Sequence, residues 1–265
     1  MNQNFEPAFI NYKEVTDNYT PGSSGGIERF LQYIKGLVGI ESNIPRYSYP
    51  GLQATPWHNP DNFAFIERLE TSYTIIKQEL FNLRNKRGFQ PEKQSLERTG
   101  SWKVFFLYER GKKNEENCYL CPETTKIVES IPSVRTMGGL IYFSAMTPGT
   151  YIHPHKGPTN IRLRCHLGLD IPDNCGIKVG EETRKWEEGK CLVFDDSFSH
   201  EAWNNGTKTR FVLIVDIWHP DLSDVEISAL EGLHNYINFQ SKQILRYWAM
   251  NRIGRSEIQD NDWWV

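Results

Sequence analysis

The sequence predicts a mainly β protein with flanking helices, whose strands form an antiparallel barrel or a jelly roll. Three observations support this class. Apolar runs of strand length follow one another between residues 140 and 218, and turn-forming residues such as Pro-Gly-Thr, Pro-Asp-Asn and Asn-Asn-Gly separate them. These runs do not alternate with helical patterns, as the strands of a parallel sheet would. Aromatic residues make up 13% of the chain, which also favours a β-rich core.

The composition excludes several classes of protein. A chain of 265 residues can bury the core of one large domain or two small ones. A net charge of −3 gives no reason to expect nucleic acid or an anionic membrane as a partner. Residues 1–15 lack the basic and apolar regions of a secretory signal, and five cysteines do not form a disulfide scaffold. We therefore expect a cytoplasmic protein without nucleic-acid or membrane partners; the sequence carries no signal for an oligomeric state.

The helices are predicted on both sides of the strands. Residues 1–47 are expected to form a tail and an accessory segment, with a short helix over 27–38, and residues 43–60 an extended coil. Asn59 and Pro60 resemble the N-cap and first position of a helix that should pack against a sheet. Its apolar residues recur at spacings of three and four: Ile66, Leu69, Tyr73, Ile76, Leu80 and Leu83. Ser223 and Glu226 form a capping box, which predicts a C-terminal helix to about residue 248.

Six strands and one short helix are predicted between these flanks. The helix covers residues 122–131. The strands cover residues 102–108, 140–146, 161–169, 176–179, 190–194 and 210–218. The predicted main domain spans residues 48–250, and residues 251–265 form a C-terminal tail.

The strand over residues 161–169 combines charge with a strict alternation. Arg162, Arg164 and His166 fall on one face, and the apolar residues fall on the other. Cations gathered beside a metal-binding histidine suggest a site for an anionic metal chelator.

Two of the seven histidines are candidate metal ligands because of their neighbours. His155 directly precedes the arginine-bearing strand, and His200 follows a strand and an acidic pair, Asp195 and Asp196, that can orient it. Non-haem iron oxygenases usually bind iron through two histidines and one carboxylate, often as His-x-Asp or His-x-Glu. Here the residue two after His155 is Gly157, so the carboxylate is missing.

The residues alone leave three alternatives open for this site. Iron is bound by two histidines and water, or Asp195 or Asp196 supplies the third ligand, or no iron is bound. His153 is an alternative ligand, since residues two apart share a face of a strand.

Arg164 and Arg210 lie in apolar strands, where a buried guanidinium must be paired. The structural interpretation is a salt bridge with Asp216 or Asp196. The functional interpretation is a clamp for a dicarboxylate, which suits the bidentate fork of arginine. Cys118 and Cys121 could belong to a zinc module, but two further ligands are not found nearby.

Three segments together carry a family resemblance. They are PGTYIHPHKGPTNIRLRCHLGL (148–169), WEEGKCLVFDDSFSHEAWN (186–204) and RFVLIVDIWHPDLS (210–223), with weaker similarity back to about residue 48. These segments resemble the aspartyl/asparaginyl β-hydroxylase family of Fe(II)/2-oxoglutarate oxygenases. The resemblance implies a double-stranded β-helix core and iron held by two histidines alone, so that Gly157 is the expected residue at its position.

The resemblance also implies a role for individual residues. His155 and His200 would be the iron ligands, and Asp196 an acid that orients water at the iron. Four residues would bind 2-oxoglutarate, namely Arg210 and Ser144 at its distal carboxylate and Arg164 and His166 near its metal-chelating end. Four residues match positions near the substrate: Arg162, Trp102, Tyr142 and His153. Tyr142 stands where the family's hydroxylases of protein domains carry a lysine, and His153 stands where a tryptophan is usual.

Taken together, these features predict a hydroxylase that uses Fe(II), 2-oxoglutarate and O2. The expected substrate is the β-carbon of an aspartyl or asparaginyl residue in a peptide or small molecule. One alternative is hydroxylation of another free amino acid, such as proline. Another is a non-catalytic β-barrel that binds a metal or a carboxylate without turnover.

Overall fold

The structure is a computed structural model that describes residues 26–37, 48–83, 89–92, 96–109, 111–131 and 139–235. Of the predicted N-terminal segment only residues 26–37 are described, and they form the short helix predicted there. The rest of that segment, the predicted C-terminal tail and the predicted helix beyond residue 235 lie outside the described residues. The described residues form two compact units, Gln53–His219 and a second unit built from residues 26–37, 48–52 and 220–235. The predicted domain limits of 48 and 250 stay a prediction.

The described residues contain thirteen strands and six helices. The strands are β1 (Trp57–His58), β2 (Gln90–Pro91), β3 (Glu97–Thr99), β4 (Trp102–Glu109), β5 (Lys112–Lys113), β6 (Leu140–Met146), β7 (Thr150–His155), β8 (Arg162–Asp170), β9 (Cys175–Val179), β10 (Glu182–Arg184), β11 (Cys191–Phe194), β12 (His200–Asn204) and β13 (Arg210–Trp218). The helices are α1 (Gly26–Leu37), α2 (Ile66–Thr71), α3 (Tyr73–Leu83), α4 (Glu115–Leu120), α5 (Pro122–Glu129) and α6 (residues 224–235).

The strands of the larger unit form two antiparallel sheets. The first has the order β1-β11-β8-β13-β6-β4-β2, with β5 paired to β4, and the second has the order β10-β9-β12-β7-β3. From β6 to β13 the chain passes repeatedly from one sheet to the other. This winding is the double-stranded β-helix, a jelly-roll-type fold, so the predicted fold class is confirmed.

The first sheet is covered on both faces. One face packs against α2 to α5, and its cluster includes Leu163, Cys165 and Leu167 of β8. The other face packs against the second sheet, and this interior cluster includes Trp102, Tyr142 and Ile214. Because side chains alternate along a strand, Arg164 and His166 of β8 face the interior. The predicted alternation is confirmed.

The long helix predicted from Asn59 to Leu83 is interrupted in the structure. Pro60–Asn62 form a single 3-10 turn, and α2 and α3 are separated at Ser72. The Thr71 hydroxyl donates to the carbonyl oxygen of Glu67 at 2.7 Å, a local bond that competes with the helical backbone pattern. The apolar stripe is buried against the first sheet as predicted, except that Tyr73 is only half-buried.

The second unit contains the predicted capping box. The Ser223 N–H donates to Oε2 of Glu226 at 2.9 Å, and the Glu226 N–H donates to Oγ of Ser223 at 3.4 Å. Arg29 of α1 forms an ion pair with the same carboxylate at 2.6 Å. None of the helices in the described part of the chain has the length and apolar character needed to span a membrane.

Candidate metal and cosubstrate site

His155 and His200 meet inside the roll. His155 ends β7, His200 begins β12, and the two residues are direct partners in the antiparallel pairing of these strands. Their ring centroids are 4.0 Å apart, with the planes inclined by 53°. His155 was predicted directly before the arginine-bearing strand, but it ends a separate strand, and neither β7 nor β12 was predicted. The structure brings together the two histidines singled out from the sequence, and their role as metal ligands stays a prediction.

Each ring is oriented by a backbone carbonyl two residues earlier in the chain. Nδ1 of His155 lies 2.9 Å from the carbonyl oxygen of His153, and Nδ1 of His200 lies 3.0 Å from that of Phe198. These contacts leave Nε2 of each imidazole for a ligand. A hydrogen bond with the backbone of Asp196 also acts on His200, and the orienting role predicted for Asp195 and Asp196 stays a prediction.

Both imidazoles are held in the form that binds a metal. Burial lowers the pKa of His155, and burial together with the neighbouring His155 lowers the pKa of His200 to about 3. Both rings are thus neutral at pH 7, as metal ligation requires. Within the described ranges, no group of three or more histidine, cysteine or acidic side chains is placed to hold an ion. That His155 and His200 are the protein ligands of a metal stays a prediction.

The missing carboxylate has a steric explanation at Gly157. A Cβ atom at this position would lie 2.5 Å from the carboxyl carbon of Asp196, well inside contact distance. The Gly157 N–H also donates to the backbone carbonyl of Asp196 at 2.6 Å, which fixes the two segments together. The Asp196 side chain thus fills the space that a metal-binding aspartate or glutamate at position 157 would need.

We expect Gly157→Ala to displace the Asp196 carboxylate and to lower the free energy of unfolding by about 1–3 kcal/mol, the usual cost of overpacking. Thermal and denaturant unfolding measure this cost. The matched control is Gly232→Ala in α6, where a Cβ would meet nothing within 4 Å. That variant should be more stable than the wild type by about 0.5–1 kcal/mol, since alanine favours a helix. Equal stabilisation by both substitutions would contradict the steric explanation.

Arg164 is a paired arginine. Its Nε lies 2.8 Å from Oδ1 of Asp216, its partner across the β8–β13 register, and its Nη1 lies 3.2 Å from Oδ2 of Asp196. Asp216 also accepts the Leu140 N–H at 3.0 Å. The structural interpretation therefore applies to Arg164, which ties Asp196 to the first sheet. Its predicted contact with 2-oxoglutarate stays a prediction.

Arg210 differs because it has no acidic partner among the described residues. Its Nη1 donates to Oγ of Ser144 at 3.2 Å, its Nη2 contacts the sulfur of Met146, and its guanidinium lies over the ring of Trp186. Its Nε is buried and makes no hydrogen bond to the described residues. Burial lowers the pKa of Arg210 to about 10, so the group is still a cation at pH 7. An unpaired buried cation is costly, and a bound anion would offset this cost. Arg210 is therefore a candidate binding residue for an anion.

His166 provides a second unsatisfied donor. Its Nδ1 accepts the indole N–H of Trp186 at 3.2 Å, and its Nε2 is buried without a partner among the described residues. Burial, reinforced by Arg210, holds the pKa of His166 well below its usual range, so the ring is neutral. Its ring lies 4.9 Å from that of Phe194, which is in turn 5.8 Å from that of His200. His166 therefore lies between Arg210 and the histidine pair.

The predicted substrate residues lie around the same interior, and their roles stay predictions. Trp102 donates its indole N–H to Oγ of Ser144 at 3.0 Å. Tyr142 is buried against Phe106, and burial raises the pKa of its phenol to about 12, so it carries no charge. Burial raises the pKa of Asp196 against the opposing charges of Arg164 and Arg162, whereas at Asp216 the same two charges outweigh burial and lower the pKa. His153 is half-buried on β7.

Two features of the site were not predicted from the sequence. Trp186 and Phe194 join the site residues into one cluster, and neither stands out in a pattern of residue types.

The zinc alternative fails: the Cys118 thiol donates to the carbonyl oxygen of Leu107 at 3.4 Å, and the described residues offer no further ligands beside it.

Comparison with known proteins identifies the family to which the chain belongs. The family model described as aspartyl/asparaginyl beta-hydroxylase matches residues 70–220, more than half of the chain. The human aspartyl/asparaginyl beta-hydroxylase is 41% identical over 196 residues, which cover 71% of this chain and 26% of that protein. The chain thus spans about a quarter of the length of this relative.

Two further relatives match a larger share of their own length. The aspartate beta-hydroxylase domain-containing protein 2 of Xenopus tropicalis is 42% identical over 238 residues, covering 85% of this chain and 64% of that protein. The ornithine lipid ester-linked acyl 2-hydroxylase of Rhizobium tropici is 37% identical over 182 residues, which cover 65% of this chain and 63% of that protein. By the extent of the model match and by these identities, the chain belongs to the aspartyl/asparaginyl β-hydroxylase family.

Proposed function

We propose that the protein is a hydroxylase that uses Fe(II), 2-oxoglutarate and O2. The observation that carries the proposal is the buried guanidinium of Arg210, which has no acidic partner among the described residues and shares an interior with two neutral imidazoles whose ring centroids are 4.0 Å apart. 2-Oxoglutarate chelates a metal with one end and carries a carboxylate at the other. It therefore needs a metal site and a cation in the same interior.

The donor set fits iron. His155 and His200 would hold it, and two neutral imidazoles leave coordination positions for a chelating cosubstrate and for O2. Gly157 and Asp196 keep a third protein ligand away from position 157. The Asp196 carboxylate, held by Arg164, then remains beside the metal position and is available to accept a hydrogen bond from water there.

The donors without partners fit 2-oxoglutarate. Arg210 and Ser144 would bind its distal carboxylate, since the guanidinium already donates to the Ser144 hydroxyl and its Nε has no partner within the described ranges. Nε2 of His166 would donate to the 2-oxo acid end. A buried donor without a partner costs about 1–3 kcal/mol, and a bound carboxylate removes this cost at both positions.

When bound, iron and its cosubstrate supply the oxidising chemistry, in which 2-oxoglutarate and O2 yield succinate and CO2 and a C–H bond becomes an alcohol. The chain supplies position, charge and exclusion of water. The interior around the site is lined by buried apolar side chains of both sheets, which keep the reacting groups dry.

For the substrate, we propose the β-carbon of an aspartyl or asparaginyl residue in a peptide or small molecule. Arg162 is the candidate contact for its carboxylate.

All five cysteines are buried free thiols, which supports a reducing compartment and our proposal of a cytoplasmic enzyme.

The test is succinate formation from 2-oxoglutarate by the purified protein with Fe(II) and O2. Free amino acids including proline, aspartyl and asparaginyl peptides, and an acyl ester are screened together, and mass spectrometry detects a product heavier by one oxygen atom. The acyl ester is included because one relative is named for hydroxylating an acyl chain. We expect succinate to form in step with one hydroxylated product. Absence of succinate with every substrate, from protein that binds iron, would favour the non-catalytic alternative.

A further inference from the structure

Trp186 contacts two of the residues that we assign to 2-oxoglutarate. It precedes β11, and only 3% of its surface is exposed. Its indole Nε1 lies 3.2 Å from Nδ1 of His166, and the two ring planes are nearly parallel, inclined by 15°. The guanidinium carbon of Arg210 lies 4.5 Å from the centre of the indole ring. One side chain therefore contacts His166 with its edge and Arg210 with its face.

The edge contact fixes the position of a proton. An indole N–H can only donate, so Nδ1 of His166 must be the acceptor and carry no proton. The proton of the neutral imidazole is then on Nε2, the buried atom without a partner among the described residues. Without this contact, His166 could adopt the other tautomer and present a lone pair where an anion needs a donor.

The face contact fixes the plane of the guanidinium. A cation over an indole ring is attracted to the π-face, most strongly in a site without water. With its carbon 4.5 Å from the ring centre, the guanidinium is limited by the indole in how far it can rotate. Nη1 reaches Ser144, while Nε stays without a partner in the part of the chain that the structure describes.

We propose that Trp186 is the positioning residue of the 2-oxoglutarate site. Its N–H sets the tautomer of His166 and its ring sets the plane of Arg210, so that donors for both ends of the cosubstrate are in place before it binds. This role rests on the proposed function.

The first test needs no change at Trp186 and no metal. Long-range ¹H–¹⁵N correlation spectra of the histidine-labelled protein show which nitrogen of each ring carries the proton. We expect His166, assigned through the loss of its signals in His166→Gln, to be the Nε2–H tautomer. A spectrum with the proton on Nδ1 would overturn the proposal even if every Trp186 variant failed to fold.

The second test separates the edge from the face of the indole. Trp186→Phe keeps a ring under Arg210 but removes the N–H, and Trp186→Leu removes both. We expect Trp186→Phe to allow both tautomers of His166 and to raise the Kd of 2-oxoglutarate about 10-fold, and Trp186→Leu to raise it about 100-fold. The Kd is measured by calorimetry with Zn(II) in place of iron. Trp203→Phe makes the same change on β12 at a position facing away from the interior, and should change neither quantity.

The outcomes distinguish this inference from the proposed function. If the wild type binds 2-oxoglutarate and Trp186→Phe keeps both its affinity and the His166 tautomer, the function stands and the role of Trp186 is overturned. If the wild type binds no 2-oxoglutarate, the proposed function fails, and the role of Trp186 fails with it.

Discussion

Replacing either His155 or His200 by alanine is expected to abolish iron binding and iron-dependent succinate formation. In the proposed site two histidines hold the iron, so each variant keeps a single imidazole. Changes to residues that merely support a metal ligand cost about 10–100-fold in affinity, so loss of a ligand should cost more than about 100-fold. Iron content after anaerobic reconstitution and removal of unbound metal measures the effect directly.

His153→Ala is the control for these variants. It lies two residues from His155 on the same strand, and the sequence left it as an alternative ligand. We expect it to keep its iron, because His155, not His153, is paired with His200. Loss of iron from His153→Ala together with its retention in His155→Ala would move the metal site by two residues.

The sequence predicted the parts of the fold whose residues carry an uninterrupted pattern. The bounds of β6 and β13 agree with the prediction, because both strands are continuous apolar runs, and β13 is buried along its whole length. It missed β7 and β12, which bear the histidines. Each is short and polar, and Pro154 lies inside the first, so neither has the alternation from which a strand is recognised.

The sequence also could not separate the two buried arginines. Arg164 and Arg210 lie in similar apolar surroundings, and the acids Asp196 and Asp216 were candidate partners for both. The choice depends on register: β13 places Asp216 opposite Arg164 and leaves Arg210 opposite Met146. Register is a property of the folded sheet, so only the structure shows which arginine has an acidic partner among the described residues and which has none.

Arg210→Met is expected to stabilise the protein and to weaken its binding of 2-oxoglutarate. In the absence of 2-oxoglutarate the guanidinium is a buried charge without an acidic partner among the described residues, and the fall in its pKa from 12.5 to about 10 corresponds to an energetic cost of about 3 kcal/mol. Methionine of similar volume removes this cost, so the free energy of unfolding should rise by about 1–4 kcal/mol. The free energy of binding of 2-oxoglutarate should become less favourable by about 2–5 kcal/mol, the usual cost of truncating one partner of a buried charge pair.

Arg164→Met is the matched control, because the same change is made at the paired arginine. It leaves Asp216 and Asp196 buried without their partner, and should therefore destabilise the protein by about 3–5 kcal/mol. Chemical denaturation of both variants without ligands, and calorimetry with 2-oxoglutarate, provide the four measurements. The opposite signs of the two stability changes are the decisive result. If Arg210→Met were destabilised like Arg164→Met and still bound 2-oxoglutarate normally, Arg210 would be a structural residue and the cosubstrate would be anchored elsewhere.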